Sequence, residues 1–178
     1  NEHCKRELIG DTSLTRRLYA RQLCGLYNPH RYEAFRDLVN STEDRLIVFY
    51  NFTEEMERLK GIVTAMNRPV SILSGEVKDL NAYQYQSNSV TFIQYQAGAM
   101  GGNFQKANKI IYFSLPQGWE LWEQSQKRIH RMGQERPCFY YLLICPGTVE
   151  EDILTTLQMR KDYNDELFRK YEEKTERN

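Results

Sequence analysis

Gln124-Ser-Gln-Lys-Arg128-Ile-His130-Arg131-Met-Gly133-Gln134 carries a glutamine and two arginines at i, i+4 and i+7 and closes on Gly-Gln. At 3.6 residues per turn, this spacing predicts a helical stripe holding Gln124, Arg128 and Arg131. Trp122, Ile129 and Met132 fall on a second, apolar stripe. A helix over 118–132 would therefore dock on a core and present one amide and two guanidinium groups outward. Guanidinium is planar and permanently charged, which suits it to phosphate. Basic residues in a last turn also favour the helix dipole, so the pattern alone leaves a solvated basic helix end as the other reading.

Strand-like and helix-like runs alternate around this segment. Helices are expected over 15–27 and 31–39, separated by Asn28-Pro29, and a buried strand over 45–50 (Arg-Leu-Ile-Val-Phe-Tyr). A helix capped by Thr53 should follow to about residue 66, then a strand over 69–73, a short helix over 76–85, and strands over 90–95 and 107–113. After the 118–132 helix comes a buried strand over 138–145. The final helix starts at Thr148, with Glu151 completing a capping box and Val149, Ile153 and Leu157 on one stripe. The charged stretch beyond Phe168 is expected to fray. The alternation predicts an α/β fold, a parallel sheet with helices on both faces, and ligands beyond the C-terminal strand ends. A helical segment over 1–40 should pack on a main domain over 41–178.

With 178 residues, 40% hydrophobic and 27% charged, the composition is that of a globular domain with a real core. Lys and Arg total 24 and so do Asp and Glu, so any nucleic-acid contact must be a local strip and not a global positive field. Cys4, Cys24, Cys138 and Cys145 form no Cys-x-x-Cys pair, and His3, His30 and His130 lie far apart, which argues against structural zinc. No signal peptide and no apolar run long enough for a bilayer are recognisable, so no membrane partner is expected. The expected location is cytoplasmic with reduced thiols, which means nucleoid-associated in a bacterium or phage and nuclear in a eukaryote.

The 124–134 string resembles motif VI of the superfamily 2 helicases in its Swi/Snf-type form, Q-x-x-x-R-x-H-R-x-G-Q. Gln124, Arg128, His130, Arg131, Gly133 and Gln134 occupy the matching positions. The resemblance implies that Arg128 and Arg131 are arginine fingers, with Gln124 beside them, reaching the phosphates of an ATP held mostly by another domain. Residues 94–104 resemble motif V, S-T-R-A-G-G-L-G-L-N-L, at Ala97, Gly98, Gly101 and Asn103. Gly98, Gly101 and Gly102 would weaken a helix and suit backbone passing close to a ligand. By resemblance, Tyr95, Gln96 and Gly98 face the DNA backbone, while Gly101 and Asn103 face the ATP ribose. The strand ending at Asn51 resembles motif IV, and Leu73-Ser74-Gly75 resembles the motif after it; both add DNA contacts at Asn51, Ser74 and Gly75.

The chain also departs from the family pattern. Gln94, Tyr95 and Gln96 stand where Ser, Thr and Arg or Lys are usual, which removes a positive charge that commonly meets DNA. Ser114 replaces an aspartate, and Gln117-Gly118-Trp119 replaces Trp-Asn-Pro. These departures suggest a divergent branch of the family. The similarity covers about 14–170, yet it amounts to half of an enzyme. No G-x-x-x-x-G-K-[ST] phosphate loop occurs, and no Asp-Glu-x-x box placed to hold magnesium is expected. The resemblance thus implies the C-terminal RecA-like lobe of a Swi/Snf-type ATPase that tracks or remodels duplex DNA. ATP and Mg2+ would be held by an N-terminal RecA-like lobe, and this chain alone would be inactive. Two other classes remain open, the lobe of a strand-separating helicase and a non-catalytic DNA- or protein-binding module.

Overall fold

Leu46–Tyr50 (β1) reads LIVFY and is buried at every position. A strand can be apolar on both sides only if both faces of its sheet are covered. The computed structural model, which describes residues 12–98 and 102–176, places β1 inside a six-stranded sheet. The other strands are β2 (Val70–Leu73), β3 (Lys78–Asp79), β4 (Val90–Gln94), β5 (Lys109–Tyr112) and β6 (Phe139–Leu142), in the order β3-β2-β4-β1-β5-β6. Leu46 is in register with Val90 on one side and Lys109 on the other, both parallel. From β1 the chain runs out to β2, returns through β4, and crosses to β5 and β6. The C-terminal ends of β4, β1 and β5 therefore flank the point where strand order reverses, where a crevice opens in such sheets.

Alternation along β1 divides the core. Leu46, Val48 and Tyr50 pack with Phe35 and Val39 of α2 (Pro29–Asn40) and with Met56, Leu59 and Val63 of α3 (Thr53–Ala65). Ile47 and Phe49 face the opposite layer. There they meet Tyr83 of α4 (Asn81–Tyr85), Tyr95 of α5 (Tyr95–Gly98), Trp122 of α6 (Trp119–Gln126), and Val149, Ile153 and Leu157 of α7 (Val149–Gln158). α1 (Ser13–Leu26) lies across α3, α7 and α8 (Asp165–Glu176). α2 contributes directly to the sheet core, so the helices before β1 are integral to the layers.

Several expectations need correction. The sheet is not wholly parallel, because β3 pairs antiparallel with β2 in the first part of the expected 76–85 helix, of which only Asn81–Tyr85 is helical. Ser74 explains the change. Its Oγ accepts the N–H groups of Glu76 and Val77, and its own N–H donates to the Val77 carbonyl at 2.8 Å, which makes a hairpin turn. Thr53 is the first helical residue of α3 and not its cap; the Glu55 carboxylate instead accepts the N–H groups of Asn51 and Phe52, each at 3.2 Å. β6 is an edge strand with Phe139 46% exposed, since an apolar run alone does not distinguish edge from centre. The C-terminal stretch is helical in α8, tied by buried Phe168 and by Arg16, which forks onto Glu172 at 2.6 and 3.1 Å. One Asp-Glu-x-x string does occur, Asp165-Glu166-Leu167-Phe168, but it opens α8 and Glu166 accepts from Lys170 at 2.8 Å.

Candidate functional site

The crevice at the strand ends is built around Asn51. Its side-chain N–H donates to Ser114 Oγ at 2.9 Å and to the Leu115 carbonyl at 2.8 Å, while Ser114 Oγ donates to Glu55 at 2.8 Å. The Asn51 side-chain amide is thus turned inward, and the Asn51 backbone carbonyl accepts from Gln94 Nε2 at 3.5 Å. Gln94 Oε1 in turn accepts the Gly75 N–H at 3.5 Å. Asn51, Gln94 and Gly75 therefore join the ends of β1, β4 and β2, with Ser74 held in the adjoining turn. Gln96 is exposed on the same rim. The expectation that Tyr95 faces DNA is corrected at the side chain: its ring is buried, stacks on Phe49 at 5.0 Å, and its hydroxyl donates to the Ser114 carbonyl at 2.8 Å. Burial raises the Tyr95 pKa well above the ordinary phenol value. Gly98 ends α5, and Gly101 lies outside the described residues.

Arg128 and Arg131 occupy a second site. α6 stops at Gln126, so the single stripe of Gln124, Arg128 and Arg131 does not form. Buried Ser125 bridges the Trp122 carbonyl and the Tyr112 hydroxyl, and the Arg128 N–H closes a tight turn on the Ser125 carbonyl at 3.2 Å. Beyond that turn the chain loops back, with Gly133 at φ +92°, a conformation that glycine adopts without strain. Gln134 fastens the loop, its Nε2 donating to the carbonyls of Gln105, Ala107 and Ile129 at 3.0, 2.8 and 3.2 Å. Ile129 and Trp122 reach the core as expected, while Met132 is 99% exposed.

This loop meets the glycine-rich segment. The Phe104 N–H donates to the Arg128 carbonyl at 3.1 Å, and Arg128 Nη1 donates to the Gly102 carbonyl at 3.3 Å. A side chain at Gly102 would collide with the buried ring of Phe104, so that glycine has a packing reason of its own. Arg128 is nearly buried. Desolvation, and then the neighbouring positive charge of Arg131, lower its pKa. Arg131, His130 and Asn103 are exposed, and the Asn103 side chain accepts the Gln105 N–H at 3.2 Å. Among the described residues, no carboxylate pairs with Arg128 or Arg131. Gln124 stands apart, donating to Glu120 at 3.0 Å on the surface of α6.

Residues 30–133 match the helicase conserved C-terminal domain. The chain belongs to that family. Its relatives are Swi/Snf-type ATPases. The DNA repair and recombination protein RDH54 of Saccharomyces cerevisiae is 24% identical over 134 residues, covering 71% of this chain and 14% of that protein. The DNA repair protein rad8 of Schizosaccharomyces pombe is 27% identical over 136 residues, covering 72% of this chain and 12% of that protein. The chromatin-remodeling ATPase INO80 of Pyricularia oryzae is 27% identical over 116 residues, covering 61% and 6%. The chain thus spans only a small part of the length of these relatives. The solved C-terminal part of the Fun30 ATPase domain has a similar fold, with a TM-score of 0.68 at 16% identity, covering 88% of this chain and 61% of that one. The matched residues include Asn51, Ser74, Gly75, Arg128 and Arg131. Two residues that sequence reasoning left without a role now have positions: Gln134 as the loop staple and Arg21 in the crevice. For Gln134 the available signal was its place at the end of the motif. Arg21 precedes the matched region, and no periodicity pointed to it.

Proposed function

We propose that this domain is the second lobe of an ATP-driven motor on duplex DNA, and that Arg128 and Arg131 contact the phosphates of an ATP bound mainly to a first lobe. The observation that carries this reading is the pair of adjacent guanidinium groups, one nearly buried, held on a stapled loop without a carboxylate partner among the described residues. Buried charge is costly when unpaired, so such a pair suits a ligand that brings negative charge. Gly102 and Asn103 border the arginines, and Gly101 adjoins them in sequence, which supports nucleotide approach from this side. In this reading Mg2+ is held with the nucleotide on the first lobe. ATP supplies the phosphoanhydride whose cleavage drives the cycle.

The crevice residues Asn51, Ser74, Gly75, Gln94 and Gln96 line the DNA side of the same reading. Gln96 offers an exposed neutral amide, while the N–H groups of Asn51 and Gly75 are engaged within the rim; neutral groups of this kind meet phosphate without reading bases. Closing of the lobes would bring the arginines to ATP while the crevice grips one strand, and opening would advance the lobe along the duplex. No helix among the described residues is long and apolar enough to cross a membrane. The motor would act where its DNA lies, in the nucleus for a eukaryotic source. A duplex-tracking assay on the complete two-lobed protein tests the proposal. Movement along intact duplex without release of single strands supports it, and obligatory strand separation contradicts it.

A further inference from the structure

Arg21 of α1, Asn51, Gln94, Gln96 and Gln117 line a crevice of about 220 Å³. Arg21 is its cation. One Arg21 N–H donates to the Leu115 carbonyl at 3.1 Å, and the guanidinium carbon sits 5.4 Å from the centre of the Phe52 ring. These two contacts aim the group and leave most of its five donors uncommitted. Desolvation lowers its pKa, and Glu55 is the acidic group that most opposes the shift. Glu55 forms no ion pair with it: one carboxylate oxygen accepts from Asn51, Phe52 and Ser114, and burial pushes the carboxyl itself up. Glu150, the other carboxylate acting on Arg21, is paired with Arg31 at 2.8 Å. Arg17 adds a further positive charge nearby. In the same crevice Gln117 Nε2 is buried without a hydrogen-bond partner.

The residues that carry an under-paired cation and an orphaned amide donor both line one polar crevice, and an anion is the ligand that each lacks. We infer that this crevice is a phosphate-binding site in which Arg21, from a helix preceding the matched family region, supplies the charge and Gln117 a second donor. The assignment of that phosphate to a nucleic-acid backbone rests on the proposed DNA-motor function; the phosphate chemistry does not. The Asn51–Gly75–Gln94 rim opens beside it, so a backbone phosphate seated on Arg21 would lie next to the strand ends and the exposed Gln96 amide. The positive charge that Gln94 and Gln96 do not offer thus comes from a different element.

Binding of a short labelled DNA duplex to the 178-residue chain, measured across a salt series, tests the inference together with inorganic phosphate titrated against the Gln117 side-chain amide resonance. Arg21→Gln should weaken duplex binding about tenfold, as expected for one charge-assisted hydrogen bond. It should also reduce the slope of log affinity on log salt by about 0.9, the change for one phosphate contact. Arg21→Lys should keep the slope, and Gln117→Glu should weaken binding at unchanged melting temperature, which decides the matter if Arg21→Gln does not fold. Phosphate should shift the Gln117 signal in the wild type and not in Arg21→Gln. Duplex binding with unchanged affinity and slope in Arg21→Gln and Gln117→Glu overturns the inference while leaving the DNA-motor reading intact. A phosphate shift without duplex binding supports the site and removes the DNA assignment; neither response overturns both.

Discussion

The guanidinium of Arg128 donates to the carbonyl of Gly102 at 3.3 Å, joining the arginine loop to the glycine-rich segment. The Phe104 N–H returns a bond to the Arg128 carbonyl at 3.1 Å. The position of the arginine therefore depends on two backbone segments and on the Gln134 staple that spans them.

Replacing Gln134 with Ala leaves three carbonyls without their common donor and should destabilise the domain by about 1–3 kcal/mol. Denaturant unfolding measures the loss. Gln134→Glu, which retains size but cannot donate, should be at least as damaging; a neutral result for both variants contradicts the staple.

Arg31 and Glu150 form an ion pair at 2.8 Å with side chains 2% and 4% exposed, and Glu150 also accepts the Cys145 N–H at 3.0 Å. Glu150→Ala strands a buried guanidinium and should cost about 3–5 kcal/mol. Urea melts of the variant check this, and a cost near that of a surface substitution contradicts it.

Glu55 carries a raised pKa, chiefly through burial. A carboxyl raised in the folded state binds its proton more tightly there than in the unfolded chain. Its contribution is therefore fully present below the ordinary carboxylate range and declines as pH rises through the folded-state value. Glu55→Gln should remove that decline. Parallel stability-versus-pH curves for wild type and Glu55→Gln contradict the prediction.

Much of the architecture was legible because β1, β4 and β5 are apolar enough to require cover on both faces, and the Asn28-Pro29 break and Thr148 mark helix starts. The hairpin at Ser74 was not legible, since it depends on one hydroxyl taking two N–H groups that a helix would have used. Helical spacing placed Gln124, Arg128 and Arg131 together, but the tight turn at Ser125 ends α6 first, and what brings the arginines to Gly102 is tertiary. Tyr95 fell on the expected segment, yet packing against Phe49 turned its ring into the core. Arg21 enters the crevice across a helix contact that no local pattern encodes.

The isolated chain, with no phosphate-loop sequence, should show no DNA-stimulated ATP turnover. Steady phosphate release that disappears on substitution of Arg128 or Arg131 contradicts this.

The most direct measurement is DNA-stimulated ATPase activity of the complete two-lobed protein carrying Arg128→Ala or Arg131→Ala. Loss of transition-state charge stabilisation should reduce kcat by about 10³- to 10⁵-fold, with far smaller changes in ATP affinity and nearly unchanged DNA binding without nucleotide. Lys should not rescue either position, because an ammonium does not reproduce the planar fork. Ordinary DNA-stimulated turnover in both Ala variants contradicts the account.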